Sequence, residues 1–180
     1  MTVPLRAVSI TDASGVTTQV GFYDPTQWTI LDSGSWTSSG LPNDTFHAIV
    51  KHIENLGYQI TNLDSYAPSV DCGLRFANGS IDITIIDLAD NRTINPYFNN
   101  TFTASVQLSE LGIPTTVNGT IQSCVLGIYN GGSGTYIAFG DTFMRAMFIV
   151  FALDWGVIAL AEPKYFATDS DILPTSYARL

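Results

Sequence analysis

The chain has 180 residues, 46% of them hydrophobic and 13% charged, which supports one well-filled domain and excludes wholesale disorder. Seven Lys and Arg against sixteen Asp and Glu leave a net charge of −9, which makes nucleic acid and anionic lipid surfaces poor first guesses as partners. Two Cys and two His are too few for a zinc ribbon or another multi-cysteine metal site.

The N-terminus, Met1-Thr2-Val3-Pro4-Leu5, lacks a basic region followed by an apolar stretch and is not read as a secretory signal. Pro4–Thr11, Gln19–Tyr23 and Trp28–Ser33 are β-branched or aromatic runs separated by Gly15 and Pro25, which predicts three short strands. Phe46, Ile49, Val50, Ile53 and Leu56 then recur at helical spacing. Pro42 precedes them, Asn43 or Asp44 is the expected N-cap, and Gly57 is the stop. Gly73–Ala77 and Ile81–Leu88 flank Asn78-Gly79, a pair that tolerates positive φ and predicts a hairpin. Further strands are expected at Phe102–Leu108, Ser123–Tyr129, Tyr136–Phe139, Phe148–Leu153 and Val157–Ala161. Asp154-Trp155-Gly156 joins the last two as a tight turn, and Asp141–Ala146 is expected to form a second, short helix. The most apolar stretch, Met147–Ala161, is broken by Asp154 and Gly156 and is too short to span a bilayer. With no repeat or interdomain linker, the reading is one mainly antiparallel β domain over residues 1–165 and a polar tail over 166–180.

Five triplets fit the N-glycosylation acceptor pattern, beginning at Asn43, Asn78, Asn91, Asn99 and Asn118. A Thr- and Asn-rich chain makes one or two by chance; five, mostly in turn-like contexts, favour a secreted or cell-surface glycoprotein. Cys72 and Cys124 fit either one bridge closing a long loop or two unrelated free thiols.

The sharpest local feature is Trp28-Thr29-Ile30-Leu31-Asp32-Ser33-Gly34-Ser35, where an apolar strand delivers a carboxylate into a tight turn with hydroxyls on both sides. Alone it reads as an ordinary Asp-Ser-Gly turn. A second feature changes the balance. Tyr136-Ile137-Ala138-Phe139-Gly140-Asp141-Thr142-Phe143-Met144-Arg145 is an apolar strand running into Gly-Asp and a short helix, and two more apolar runs follow it. Five linked features now stand in order: the Asp32 turn, the helix, the two cysteines, the Phe139-Gly140 segment, and a final apolar hairpin leading to Ala161-Glu162-Pro163-Lys164-Tyr165. Together they closely resemble the C-terminal lobe of pepsin-like aspartic proteases, of the secreted fungal candidapepsin and yapsin type.

The resemblance implies a mainly β fold, one lobe of the pepsin-like acid protease, with antiparallel sheets and one or two short helices. It implies peptide-bond hydrolysis with Asp32 as one of two catalytic carboxylates. Ser33 would reach to the partner lobe's loop, Gly34 would make the turn, Ser35 would hydrogen-bond an Asp32 oxygen, and Phe139-Gly140 would pass beneath the loop as its support. Ile30 and Ala138 would border the primed-side pocket, and Cys72–Cys124 would be the lobe's disulfide. No metal and no other cofactor is implied. The implied partners are an N-terminal lobe carrying the second Asp and the flap, and a peptide or protein substrate.

The sequence also departs from the family. It holds no second copy of the catalytic motif, because Asp141-Thr142-Phe143 lacks the glycine and belongs to the supporting motif. An isolated chain would therefore hold half a dyad. Trp36 stands where another small hydroxyl residue is usual, either narrowing a substrate subsite or packing in the core. A non-catalytic glycoprotein that keeps the fold as a binding module, and a homodimer with two facing Asp32 loops, are the rival readings. Other candidates are weaker. His47 and His52 are five apart, not the four that aims two ligands from one helix face, and Asn130–Gly134 lacks the ending of a phosphate loop. Asp82, Asp87 and Asp90 read as solvated strand-face charges.

Overall fold

Asp12 sets the first hairpin. Its carboxylate accepts from the backbone N–H of Ser14 at 2.8 Å, the Ser14 hydroxyl at 2.6 Å and the backbone N–H of Val16 at 3.0 Å. This local bonding competes with continued extension and folds the chain back on itself. The computed structural model describes residues 2–23, 28–34, 39–86, 101–132, 137–152 and 157–161. Its strands in chain order begin with β1 (Thr2–Thr11), β2 (Thr17–Phe22), β3 (Trp28–Leu31), β4 (Ser39–Leu41), β5 (Ile60–Thr61), β6 (Ser69–Val70) and β7 (Ser80–Ile86). They continue with β8 (Thr101–Gln107), β9 (Gly112–Val117), β10 (Thr120–Leu126), β11 (Ile128–Asn130), β12 (Ile137–Phe139), β13 (Phe148–Ala152) and β14 (Val157–Ala161). The α-helices are α1 (Asn43–Asn55) and α2 (Asp141–Met144). The expected mainly β architecture is observed.

The largest sheet runs β11-β4-β12-β3-β1-β7-β8, with β2 paired to β1; a second runs β5-β6-β10-β9, and β13 pairs with β14. Val8 and Ile10 of β1, Ile81 and Ile83 of β7 and Val106 of β8 are buried in one core with Phe46, Ile49, Val50 and Ile53 of α1. Helix α1 thus turns its apolar stripe inward, as its spacing predicts, and Gly57 ends it at φ 95°. Its start differs from expectation. Pro42 takes the N-cap position, its carbonyl accepting from Phe46 N–H at 2.9 Å. Asn43 spends its side chain elsewhere, accepting from Asn130 at 3.0 Å and donating to Asp44 at 3.2 Å.

Four further local expectations change. Gly73–Ala77 is not a strand but part of a 3-10 helix over Cys72–Phe76, capped by the Asp71 carboxylate accepting from Gly73 N–H at 2.7 Å and anchored by buried Leu74. Asn78-Gly79 is consequently no hairpin, and only Gly79 of the pair has positive φ. The Asn-Gly hairpin lies instead at Asn118-Gly119, with φ of 51° and 77°, joining β9 to β10 across the Val117–Thr120 pair. Ser123–Tyr129 is two strands, because Gly127 breaks the run where the chain passes from the second sheet to the first. Asp82 is half-buried, its carboxylate accepting from the hydroxyls of Thr11 and, at 2.9 Å, Ser80, so it is not a freely solvated charge. Cys72 and Cys124 form a disulfide with Cα atoms 5.2 Å apart, tying the 3-10 helix to β10. Asp87, Asp90, the Asp154-Trp155-Gly156 turn, Lys164-Tyr165 and the 166–180 tail lie outside the described residues.

Candidate active site

Strands β3 and β4 follow one another in sequence but are not neighbours in the sheet. Strand β12 lies between them, parallel to β3 through Ile137–Thr29, Ala138–Ile30 and Phe139–Leu31, and antiparallel to β4 through Ala138–Gly40. Strands β3 and β12 end side by side, Leu31 beside Phe139, and Asp32-Ser33-Gly34 leaves β3 at that common end. Asp32 N–H donates to the Phe139 carbonyl at 3.0 Å, and Gly34 N–H donates to Asp32 Oδ1 at 3.0 Å. The loop is thus pinned to the last residue of β12 by its backbone, and one carboxylate oxygen is oriented by an Asx-type turn. Asp32 is half-buried, whereas Ser33 and Gly34 are exposed.

Beneath the loop, polar groups are buried and satisfied. Ser39 is 0% exposed, and its hydroxyl accepts from Gly140 N–H at 2.9 Å while its own N–H donates to the Gly127 carbonyl at 3.1 Å. Thr29, also 0% exposed, donates its hydroxyl to the Ile137 carbonyl at 3.0 Å. These bonds lock β3, β12 and β4 side to side, which limits how far the Asp32 turn shifts. Phe139 stacks on Phe143 with ring centroids 5.0 Å apart, so the support strand is wedged against α2. Asp141, in the first turn of that helix, pairs with Arg145 at 3.1 Å on the surface.

Ile30 and Ala138 are register partners across β3 and β12, so their side chains share a face, opposite to the buried Thr29, Leu31, Ile137 and Phe139. Ile30 is half-buried and Ala138 buried. The structure thus brings Asp32, Ser33, Gly34, Phe139, Gly140, Ile30 and Ala138 into one neighbourhood, while Ser35 and Trp36 lie outside the described residues. Asn78 and Asn118 are exposed, Asn43 is exposed and held by Asn130, and Asn91 and Asn99 lie outside the described residues. Sequence reasoning missed Ser39 and Thr29. Neither carries a local signal: one sits in a polar stretch with no periodicity, the other reads as an ordinary strand threonine.

The family model for eukaryotic aspartyl proteases matches residues 6–163. Secreted aspartic protease 9 of Candida albicans is 27% identical over 169 residues, covering 93% of this chain and 27% of the relative. The acid extracellular protease of Yarrowia lipolytica is 26% identical over 166 residues, covering 91% of this chain and 37% of the relative. The chain therefore spans between about a quarter and two fifths of the length of these curated relatives. With the match running from the first strand through the final hairpin, over a fold whose Asp-Ser-Gly turn rests on an inserted apolar strand, the chain belongs to the eukaryotic aspartyl protease family as a pepsin-like lobe of the fungal type.

Proposed function

We propose that this chain is the C-terminal lobe of a secreted, acid-active aspartic endopeptidase, that Asp32 is one of its two catalytic carboxylates, and that an N-terminal lobe supplies the other together with the flap. The observation that carries the reading is the position of Asp32, on a turn pinned by backbone hydrogen bonds to the strand inserted between β3 and β4. Two carboxyl groups at contact distance cannot both ionise cheaply, so they share a proton and titrate as a pair. The ionised member takes a proton from a water as that water attacks the scissile carbonyl. The protonated member donates a hydrogen bond to the carbonyl oxygen. Atoms from water end on the two product termini, with no covalent enzyme intermediate.

In this reading Ser33 bonds across to the partner loop, Ser35 bonds an Asp32 oxygen, Phe139-Gly140 supports the turn, and Ile30, Trp36 and Ala138 border bound peptide. The isolated chain, holding one carboxylate, is inactive. The names of the relatives support a secreted or cell-surface location, and the acceptor triplets at Asn43, Asn78, Asn91, Asn99 and Asn118 are the proposed glycan sites. Family membership does not favour the non-catalytic alternative. The test is to express the chain with its upstream lobe and assay peptide cleavage at acid pH. Asp32→Asn should lower kcat by at least about a thousandfold, the scale of losing a general acid–base group. Cleavage unchanged by that substitution removes Asp32 from the mechanism.

A further inference from the structure

Strand β8 ends the largest sheet. It pairs with β7 along its whole length, from Ser80–Gln107 to Ile86–Thr101, and no described strand pairs with its other edge. Leu108 N–H donates to the Gly79 carbonyl at 2.9 Å, in step with this register. Antiparallel pairs alternate, so Phe102, Ala104 and Val106 spend their backbone groups on β7, while Thr101, Thr103, Ser105 and Gln107 aim theirs outward. The other edge strands of the two larger sheets are guarded. Strand β9 carries Pro114 and an irregular register, and β5 and β11 are only two and three residues long. Strand β2 is bulged against β1 and lies against α1, where a Cβ on Gly21 would meet the Thr45 hydroxyl at 2.6 Å. Strand β8 has none of these devices: its residues, Thr-Phe-Thr-Ala-Ser-Val-Gln, include no charge and no proline, and its register has no bulge.

We propose that β8 pairs with β8 of a second copy of this chain, antiparallel about a two-fold axis at Ala104, so that the sheet continues across the dimer. The order of its residues selects this occupant. Turned end for end about Ala104, the strand sets Thr101 opposite Gln107, Phe102 opposite Val106 and Thr103 opposite Ser105. Exposed polar side chains then meet polar ones on the outer face, and the half-buried or buried Phe102, Ala104 and Val106 meet apolar ones on the core side. The outward backbone groups fall in phase as well, since Thr103 faces Ser105 and Thr101 faces Gln107, which gives about eight hydrogen bonds across the axis. Charge does not oppose the contact. The chain carries −9, but β8 brings none of it to the axis. Asp82, one strand back beside Ser105, is bonded by Thr11 and Ser80 and stands at least three strand spacings, about 14 Å, from its symmetry mate, beyond the screening length. Strand β3 lies three places in from β8, so this dimer leaves the Asp32 turn open.

The experiment uses the protein with its upstream lobe and reads association, not cleavage, so its outcome is independent of the role of Asp32. In sedimentation equilibrium at loadings up to about 100 µM, the weight-average mass should rise toward about twofold. Ser105→Pro removes an outward N–H and no bond of the β7–β8 ladder. It should weaken dimerisation by at least about tenfold, through two symmetry-related bonds, and leave the circular dichroism unchanged. Cysteine pairs read the register. Thr103→Cys protein mixed with Ser105→Cys protein should cross-link under a mild oxidant, because directly opposite Cα atoms lie about 5.5 Å apart, within disulfide range. Either variant alone should not, because each position is then diagonal to its own mate, about 7–8 Å away. A mass that stays monomeric, an association that Ser105→Pro leaves at full strength, or cross-linking of one variant alone as readily as of the mixture overturns the pairing. If Ser105→Pro fails to fold, the mass and the cross-linking pattern decide.

Discussion

Ser39 shows how much of this lobe's rigidity rests on single hydroxyls. Its side chain, with no exposure to water, is the acceptor for the N–H of Gly140, the residue that follows β12 and caps α2. Ser39→Ala leaves that N–H unsatisfied in the interior and should cost about 1–3 kcal/mol of stability, measurable by urea unfolding. Ser39→Ala at wild-type stability would show that another acceptor replaces it. Asp12 is the clearest charge effect. The Ser14 hydroxyl first, and then the N–H of Val16, hold its carboxyl below the ordinary value of 3.8. A depressed folded pKa gives stability that is present above the unfolded value and lost as pH falls through the folded one. Ser14→Ala should therefore move the Asp12 titration up toward the ordinary carboxylate range in a carboxyl-detected NMR experiment. A titration that does not move would mean the backbone donors alone set it.

At the scale of elements, the disulfide ties together parts of the chain that are distant in sequence. Cys72 and Cys124 stand 52 residues apart, and their bridge joins the 3-10 helix to β10. In the chain-entropy account, closing a loop of that length stabilises the fold by about 4 kcal/mol. A Cys72→Ser, Cys124→Ser double variant should lose stability on that scale in denaturant. A loss under about 1 kcal/mol would show that the reduced chain keeps the two elements together by packing alone. Local sequence signals divide cleanly here. Helix α1 was legible because Phe46, Ile49, Val50 and Ile53 recur at helical spacing and are all buried, although Leu56, the fifth of the run, is exposed at the C-cap; its Gly57 stop has the positive φ that glycine supplies. Between the Asn78-Gly79 and Asn118-Gly119 pairs, only Asn118-Gly119 takes the hairpin conformation; at Asn78-Gly79 the preceding segment is committed to a 3-10 helix by Asp71, Leu74 and the disulfide. Both pairs carry the same local preference, and the contacts of the flanking segments decide which one expresses it.

For the whole molecule, the sheet order explains why the candidate site was readable as residues but not as geometry. Asp32-Ser33-Gly34 and Phe139-Gly140 stand out in the sequence as motifs more than a hundred residues apart, and their order along the chain carried the family resemblance. Composition and periodicity determined a mainly β domain and one long amphipathic helix, because burial of apolar side chains acts through spacings of two and 3.6 residues that can be read locally. That β12 enters between β3 and β4, that Ser39 and Thr29 lie sealed beneath the turn, and that Tyr129 leans over Gly40 were decided only in the tertiary structure. Those arrangements depend on contacts between segments far apart in sequence, whose free energy appears only when the strands are already side by side.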